Sequence, residues 1–323
     1  MAPGDLQGIH HVTAICGDAQ RNVDFYAGVL GLRVVKLTVN FDDPTTYHLY
    51  YGDGVGSPGS IITFFPYVDS GPGRPGVGQV TTTSYAIPLG SLDAWMARLA
   101  ERTIDFDAPT EAFGCRQITL LDPDRLRIAL VEAEAPAASG WEGAPLAPDI
   151  AIRRIHSVRL AEEAGESTAR LLTGLMGFRE TGTEGTVRQY EVGSGGSGTI
   201  VEVQCSPDLP PGRGGQGSVH HVAFRTPDDA HQFALRAALL ADGRNVSPIM
   251  DRNYFRSIYF REPGGVLFEV ATDPPGFLID ETDADLGTHL KLPAQYEPHR
   301  EAIVRRLPPL RLPNGVEIGG GAG

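Results

Sequence analysis

GIHHVTAICGDAQRNVDFYAGVLGLRVV, residues 8–35, decides the fold. It opens with an alternating strand that a His begins and Asp18 closes. A helical stretch follows and stops at Leu30-Gly31-Leu32, where Gly31 is placed to cap the helix C-terminus. Strand character then returns and continues as far as SIITFFP, residues 60–66. The unit therefore reads strand, helix and three strands, or βαβββ.

Further along, RIHSVRLAEEAGESTARLLTGLMGFRET (154–181) with GTIVEVQ (198–204) repeats the unit, with His156 answering His11, Glu163 answering Asp18 and Gly177 answering Gly31. FGCRQITLLDPDRLRIALV (113–131) matches YFRSIYFREPGGVLFEV (254–270) through Arg116 and Arg256, Ile118 and Ile258, and Pro123 and Pro263. VHHVAFRTPDD (219–229) carries His221 the same six-residue gap ahead of Asp228. In the second copy Ser84 or Tyr85 stands near that place. Four copies of one supersecondary unit make an α+β chain.

The Ala/Pro/Gly-rich run EAEAPAASGWEGAPLAPD (132–149) separates the second and third copies. The expected division is residues 1–145, two modules; residues 146–275, two modules; and a C-terminal extension, residues 276–323. Within that extension EPHREAIVRRL (297–307) reads as helix, LGTHLKLP (286–293) can pack over a domain, and the end is expected to lack fixed structure.

The 323 residues carry a formal net charge of -13, which argues against nucleic acid or an anionic membrane as a main partner and favours a small molecule. MAPGDLQGIHHV has neither the basic nor the apolar part of a signal peptide, and no run of about 18 apolar residues marks a membrane span. A cytoplasmic protein is expected. Cys16, Cys115 and Cys205 are scattered and form no CxxC, so neither a disulfide framework nor a structural zinc site is indicated.

Chemistry concentrates in the first and fourth copies. His11 shares a strand face with Thr13, while strict alternation turns His10, and likewise His220 beside His221, the other way. Glu269, in GGVLFEVATD, stands among Val, Leu and Phe and is costly to bury without a charged partner or a metal. Two imidazoles and one carboxylate on one face suit Fe(II) and dioxygen, and Mn(II) could occupy the same set. Zn would also accept His and Glu, but the absence of Cys ligands and an open octahedral face favour iron.

Together these stretches, with TYHLYYGDGVGSPGSIITFFP (46–66), DRNYFRSIYFREPGGVLFEVATD (251–273) and LGTHLKLP, resemble the ring-cleaving dioxygenases of the glyoxalase/vicinal-oxygen-chelate superfamily, specifically the hydroquinone-opening branch. The resemblance covers nearly the entire chain. It implies four vicinal-oxygen-chelate modules arranged as two glyoxalase-like domains, with iron held by His11, His221 and Glu269 in a cleft shared by the first and fourth copies. It places His10, His220, Arg252 and Tyr259 around the substrate, for proton transfer and for holding an anionic oxygen. For His10 and His220 that requires a twist or bulge at the strand start. The related catechol-cleaving branch keeps its metal in the second half of the chain, so His156 with His221 and Glu269 is a rival triad, and His156 with Glu202 occupies matching repeat positions.

The expected activity is extradiol-type cleavage of a small aromatic diol by dioxygen, without an organic cofactor, in a homo-oligomer. A glyoxalase-like isomerase or lyase using Zn, Ni or Mn is one alternative. A metal-free drug-sequestering module is another. His48 is read as a packing residue that could line a cleft, Tyr254 and Phe255 as core aromatics, and His231, His289 and His299 as surface or tail residues. GSGGSG and GDGVGSPG lack the context of a phosphate-binding loop.

Overall fold

The computed structural model describes residues 6–319, and four βαβββ modules follow one another in the chain. The first comprises β1 (Ile9–Cys16), a helix α1 that begins as Ala19–Val23 and widens to π geometry over Asp24–Val29, β2 (Arg33–Val39), β3 (Tyr47–Gly52) and β4 (Ile61–Pro66). The second comprises β5 (Gln79–Ile87), α2 (Leu92–Glu101), β6 (Thr110–Ala112), β7 (Cys115–Leu121) and β8 (Arg127–Glu132). The third has β9 (Arg154–Glu162), α3 (Glu166–Gly174), β10 (Arg179–Glu184), β11 (Val187–Glu191) and β12 (Ile200–Cys205). The fourth has β13 (Ser218–Thr226), α4 (Asp229–Ala241), β14 (Met250–Asp251), β15 (Arg256–Arg261) and β16 (Leu267–Thr272).

Local chemistry accounts for the recurring boundaries. Asp18 accepts a hydrogen bond from the Arg21 amide at 2.8 Å, and Asp228 accepts one from the His231 amide at 2.9 Å, so each caps the helix that follows its strand. The gap from His to acid thus measures the distance from strand to helix cap. Glu163 does not serve in this way, because Gly165 occupies the N-cap position of α3. Gly31 and Gly177 adopt φ of 71° and 75°, the left-handed turn that ends a helix and that a side chain disfavours.

The modules pair out of sequence order. One eight-stranded sheet runs β14-β15-β16-β13-β1-β4-β3-β2, joining the first and fourth modules, and the other runs β10-β11-β12-β9-β5-β8-β7-β6, joining the second and third. A cut near residue 145 therefore separates module pairs along the chain, while each sheet draws one module from either side of it. Alternation sorts the strand residues: Val12, Ala14 and Cys16 of β1 join the apolar core with Tyr26, Ile62 and Phe64, while His11 and Thr13 line a cavity. Leu92, Trp95 and Leu99 of α2, Leu171 and Leu172 of α3, and Leu235 and Leu239 of α4 are buried in that core.

After β16 the chain returns across the first module. Lys36, with no exposed surface, pairs with Asp280 at 2.6 Å and with Glu281, and its ammonium lies over the Tyr254 ring. LGTHLKLP does pack over the first module: Leu286, Leu290 and Leu292 are buried, and the Lys291 amide donates to Leu37 O. EPHREAIVRRL is helical, ending in α5 (Arg300–Arg306). The following segment departs from expectation: β17 (Leu310–Arg311) pairs with β18 (Glu317–Ile318), and Leu307, Leu310 and Leu312 are buried. Three leucines spaced among prolines gave no periodic signal, yet they supply an apolar face. Residues 320–323 lie outside the described part. No described helix is long and apolar enough to cross a membrane.

Candidate metal centre

The first sheet brings three ligand-type side chains together through its register. β1 and β13 are antiparallel neighbours, with His11 opposite Ala223 and Thr13 opposite His221. β16 runs parallel to β13 with Glu269 beside Ala223, and β15 places Tyr259 opposite Glu269. His11, Ala223, Glu269 and Tyr259 thus form one cross-strand row, in which alanine leaves room between the larger groups.

Ligand atoms of His11, His221 and Glu269 all lie within 4.8 Å of one another, and all three residues are buried. His11 Nε2 is 3.3 Å from His221 Nε2, and Glu269 Oε2 is 2.8 Å from His221 Nε2 and 3.4 Å from His11 Nε2. Donors about 2.1 Å from one ion at right angles would be about 3 Å apart, so these spacings fit a shared cation. Glu269 Oε2 is buried and makes no well-directed hydrogen bond among the described residues, whereas Oε1 accepts one from Ser257. An orphaned carboxylate oxygen inside a protein is expensive unless a positive charge meets it.

Protonation suits the same role. Burial by itself would raise the Glu269 carboxyl, but the imidazoles of His11 and His221 hold it well below the usual range. Burial lowers His221, favouring a neutral ring with a lone pair to offer.

Behind each of the two inward-facing imidazoles stands its sequence neighbour. His10 Nδ1 lies 2.9 Å from His11 Nδ1, and His220 Nδ1 lies 2.7 Å from His221 Nδ1. Both Nε2 atoms are thereby left to face inward, as outer hydrogen bonds commonly arrange for metal-bound histidines. The register between β1 and β13 shifts between Ile9 and His11 and between Thr13 and Ala14, which breaks strict alternation and lets both rings of a pair meet edge to face. His10 packs against Phe255 and does not reach the cavity; burial lowers its imidazole well below the usual value. His220 lines the cavity mouth with part of its residue open to solvent, and burial of the ring, then the neighbouring His221, lowers it to about 4.

The cavity over this centre encloses about 360 Å³, within the range of small-molecule sites. Phe41, Phe65 and Phe255 supply apolar wall, and Arg252, Tyr259 and His220 supply polar groups. Arg252 Nε donates to the Tyr259 hydroxyl at 3.3 Å, and its guanidinium reaches Asp42 at the rim. Burial raises the Tyr259 phenol, which therefore stays protonated as a donor. Phe255 and Tyr254 are both buried in one apolar cluster, as their reading as core aromatics expects, and Phe255 in addition forms part of the cavity wall. His48 also faces the cavity. Asn40, Phe41, Phe65 and Tyr67 were invisible as site residues, since each comes to the site through folding of the first module alone.

His156 does not join His221 and Glu269. It belongs to the other sheet, where its Nδ1 lies 3.0 Å from Ser197 Oγ. Register explains the misleading match: Ser157, not His156, stands opposite Ile200 and Ser84, as His11 stands opposite Ile61 and Ala223. Matching His156 to His11 and Glu163 to Asp18 displaces the strand by one residue, while Gly177 and Gly31 keep the true offset.

Comparison with known proteins agrees with this architecture. The profile of the Glyoxalase/Bleomycin resistance protein/Dioxygenase superfamily matches residues 8–130 and 154–270. The chain is 45% identical over 305 residues to the Bacillus subtilis protein named "Putative ring-cleaving dioxygenase MhqO", covering 94% of this chain and 97% of that one. It is 32% identical over 312 residues to the "Chlorohydroquinone/hydroquinone 1,2-dioxygenase" of Sphingobium indicum, covering 94% and 97%. A solved Bacillus subtilis dioxygenase structure, named as "putative", superposes with a TM-score of 0.92 at 45% identity, covering 96% of this chain and 99% of its own. Glyoxalase I of Zea mays shares the fold, with a TM-score of 0.64 at 13% identity over 87% of this chain and 96% of its own. This chain belongs to the Glyoxalase/Bleomycin resistance protein/Dioxygenase superfamily and, within it, to the ring-cleaving dioxygenases.

Proposed function

We propose that the chain is an Fe(II)-dependent extradiol-type dioxygenase that opens a hydroquinone or catechol-like ring, with His11, His221 and Glu269 as the metal ligands. The observation that carries this reading is the inward convergence of two imidazole nitrogens and one orphaned carboxylate oxygen in the wall of a cavity with aromatic sides. Two nitrogen donors and one oxygen on a single face suit iron, with Mn(II) as the nearest substitute. Bound there, Fe(II) supplies the one-electron chemistry that lets dioxygen react with an aromatic diol.

The chain's own groups have distinct tasks. Tyr259, protonated and supported by Arg252, donates a hydrogen bond to an oxygen of the diol and can pass on its proton. Arg252 holds negative charge that develops on ring oxygens. His220, neutral at the mouth, accepts a hydrogen bond from the incoming diol. His10 acts from behind, by orienting His11. The hydroquinone class follows the name of the Sphingobium relative and the single-ring scale of the cavity.

Metal analysis of protein purified without oxygen, joined to oxygen uptake on methylhydroquinone, tests the proposal. Stoichiometric iron and diol-dependent oxygen consumption are expected. A zinc- or nickel-loaded protein that consumes no oxygen would sink it.

A further inference from the structure

The ligand set is lopsided in an informative way. Glu269 stands beside the residue two places after His221, and by the same register Thr63 stands beside the residue two places after His11. Thr63 therefore occupies the fourth symmetry-related position around the centre, with a hydroxyl where a carboxylate would complete the set. The side of the centre facing Thr13 and Thr63 is left for a ligand from outside.

A file of hydrogen bonds ends on that side. The Tyr50 hydroxyl lies 2.9 Å from His48 Nδ1, His48 Nε2 lies 2.9 Å from Thr63 Oγ1, and Thr63 Oγ1 lies 2.8 Å from Thr13 Oγ1. Tyr50 is buried and its hydroxyl has no other partner among the described residues, so it donates to Nδ1. Burial keeps this phenol protonated and keeps His48 neutral. A neutral imidazole that accepts at Nδ1 carries its proton on Nε2 and donates to Thr63. Thr63 then has only its own hydrogen to give, and gives it to Thr13. The Thr13 hydrogen finds no protein acceptor among the described residues, and Thr13 lines the cavity next to His11.

We propose that His48 is a positioning residue: fixed by Tyr50 and acting through Thr63, it turns the Thr13 hydroxyl outward as a hydrogen-bond donor to an electron-rich ligand oxygen on the open side of the centre. The ligand class is an oxygen bearing negative charge, such as the phenolate of an aromatic diol. Tyr50 and Phe65 clamp the His48 ring at centroid distances of 4.0 and 4.3 Å, so its orientation is held before any ligand arrives.

The direction of the file is open to measurement without metal or substrate; only the kinetic consequence rests on the dioxygenase reading. Long-range proton–nitrogen correlation spectra of the metal-free protein should show His48 protonated at Nε2 and bare at Nδ1, with that bias lost in Tyr50→Phe. In iron-loaded protein, His48→Ala should lower kcat on methylhydroquinone at least about tenfold while KM and iron content stay within about twofold. His48→Gln, whose amide can still donate to Thr63, should recover much of the loss. Tyr50→Phe should slow the wild type and add nothing to His48→Ala, as groups acting in series require. A proton on Nδ1, a glutamine no better than alanine, or losses that multiply in the double variant would each overturn the inference. Wild-type protein that turns over no diol would defeat the function proposed above, and the spectra would still decide the direction of the file.

Discussion

The two sheets share a topology and differ at four positions. Around the centre of the first stand His11, Thr63, His221 and Glu269; the matching places of the second hold Ser157, Glu202, Thr82 and Ala129. Of these only Glu202 could bind a metal, and Arg159 has claimed it at 2.6 Å while Ser157 donates to its other oxygen at 3.0 Å. In the first sheet Glu269 Oε2 makes no directed hydrogen bond among the described residues, whereas the carboxylate of the second, standing at the place of Thr63, is neutralised by a neighbouring arginine. The fold alone thus specifies a cleft, and a handful of substitutions decide whether it can hold a cation.

The largest effect should come from breaking the set in the first sheet. His11→Ala, His221→Ala or Glu269→Ala should each reduce iron content to background and abolish turnover, because a three-donor site missing one arm loses affinity and geometry together. His156→Ala, in the second sheet, should keep full iron. Elemental analysis of the four proteins checks this; iron lost from the His156 variant and retained by the His11 variant would exchange the roles of the sheets.

A second contrast lies beside Glu269. Tyr259 faces the cavity in the first sheet, and the corresponding strand of the second carries Thr119. Tyr259→Phe should retain iron and lower kcat on a hydroquinone by about 10²- to 10⁴-fold, the span of a lost proton-transfer group. Unchanged turnover at full iron occupancy would return the phenol to a packing role.

Much of this was legible before folding. The repeat gave four modules because each copy keeps strand period, helix stop and turn chemistry in the same order, and Glu269 drew notice as a lone acid in an apolar strand. Two things were not legible in the residues themselves. Which modules share a sheet depends on pairing across more than two hundred residues, as between His11 and Ala223; no local pattern encodes that, and only the family resemblance put the first and fourth copies around one cleft. The one-residue offset between His156 and His11 is likewise a matter of register: a slip by one turns a side chain to the opposite face, and only the pairing with Ile200 reveals it.

Smaller effects should separate the sheets by stability. Arg159→Ala would leave the Glu202 carboxylate buried with a single hydroxyl partner, at a cost of about 1–3 kcal/mol, reduced from the fully buried case because Arg159 is about a quarter exposed, with 27% of its side chain accessible. In metal-free protein, Glu269→Gln should lower Tm less than Arg159→Ala, since the amide oxygen can keep the Ser257 bond and Oε2 has no directed hydrogen bond to lose among the described residues. Denaturant melts of both variants test the contrast. An equal loss in each would mean that Glu269 is already compensated without a cation.

The smallest effect concerns the turns between the last two strands of the even-numbered modules. Asp122 and Glu262 each accept two backbone amides there, from Asp124 and Leu126 and from Gly264 and Val266. Asp122 then meets the Tyr26 hydroxyl of the first module, whereas Glu262 meets Thr168 and the buried carboxyl of Glu162 from the third. Gly264 permits this approach: any Cβ at that position would occupy the space of the Glu162 carboxyl. Burial, then the adjacent Glu262, pushes Glu162 up to about 8, so at neutral pH it is protonated in the folded protein. Unfolded, it would ionise near the ordinary value of about 4.3. Between these values the folded chain binds the extra proton, so stability falls as pH rises through that window and levels off above about 8. Asp122, raised by burial to about 6, adds a slope of the same sign over a shorter window at the lower end. Glu162→Gln keeps a donor against Glu262 and removes the larger titration. Its Tm should match the wild type near pH 5 and exceed it increasingly towards pH 8, as the wild type gives up its extra proton. Parallel Tm profiles across pH 5–8 would show that Glu162 is ionised in the folded protein and that the acidic contact is compensated some other way.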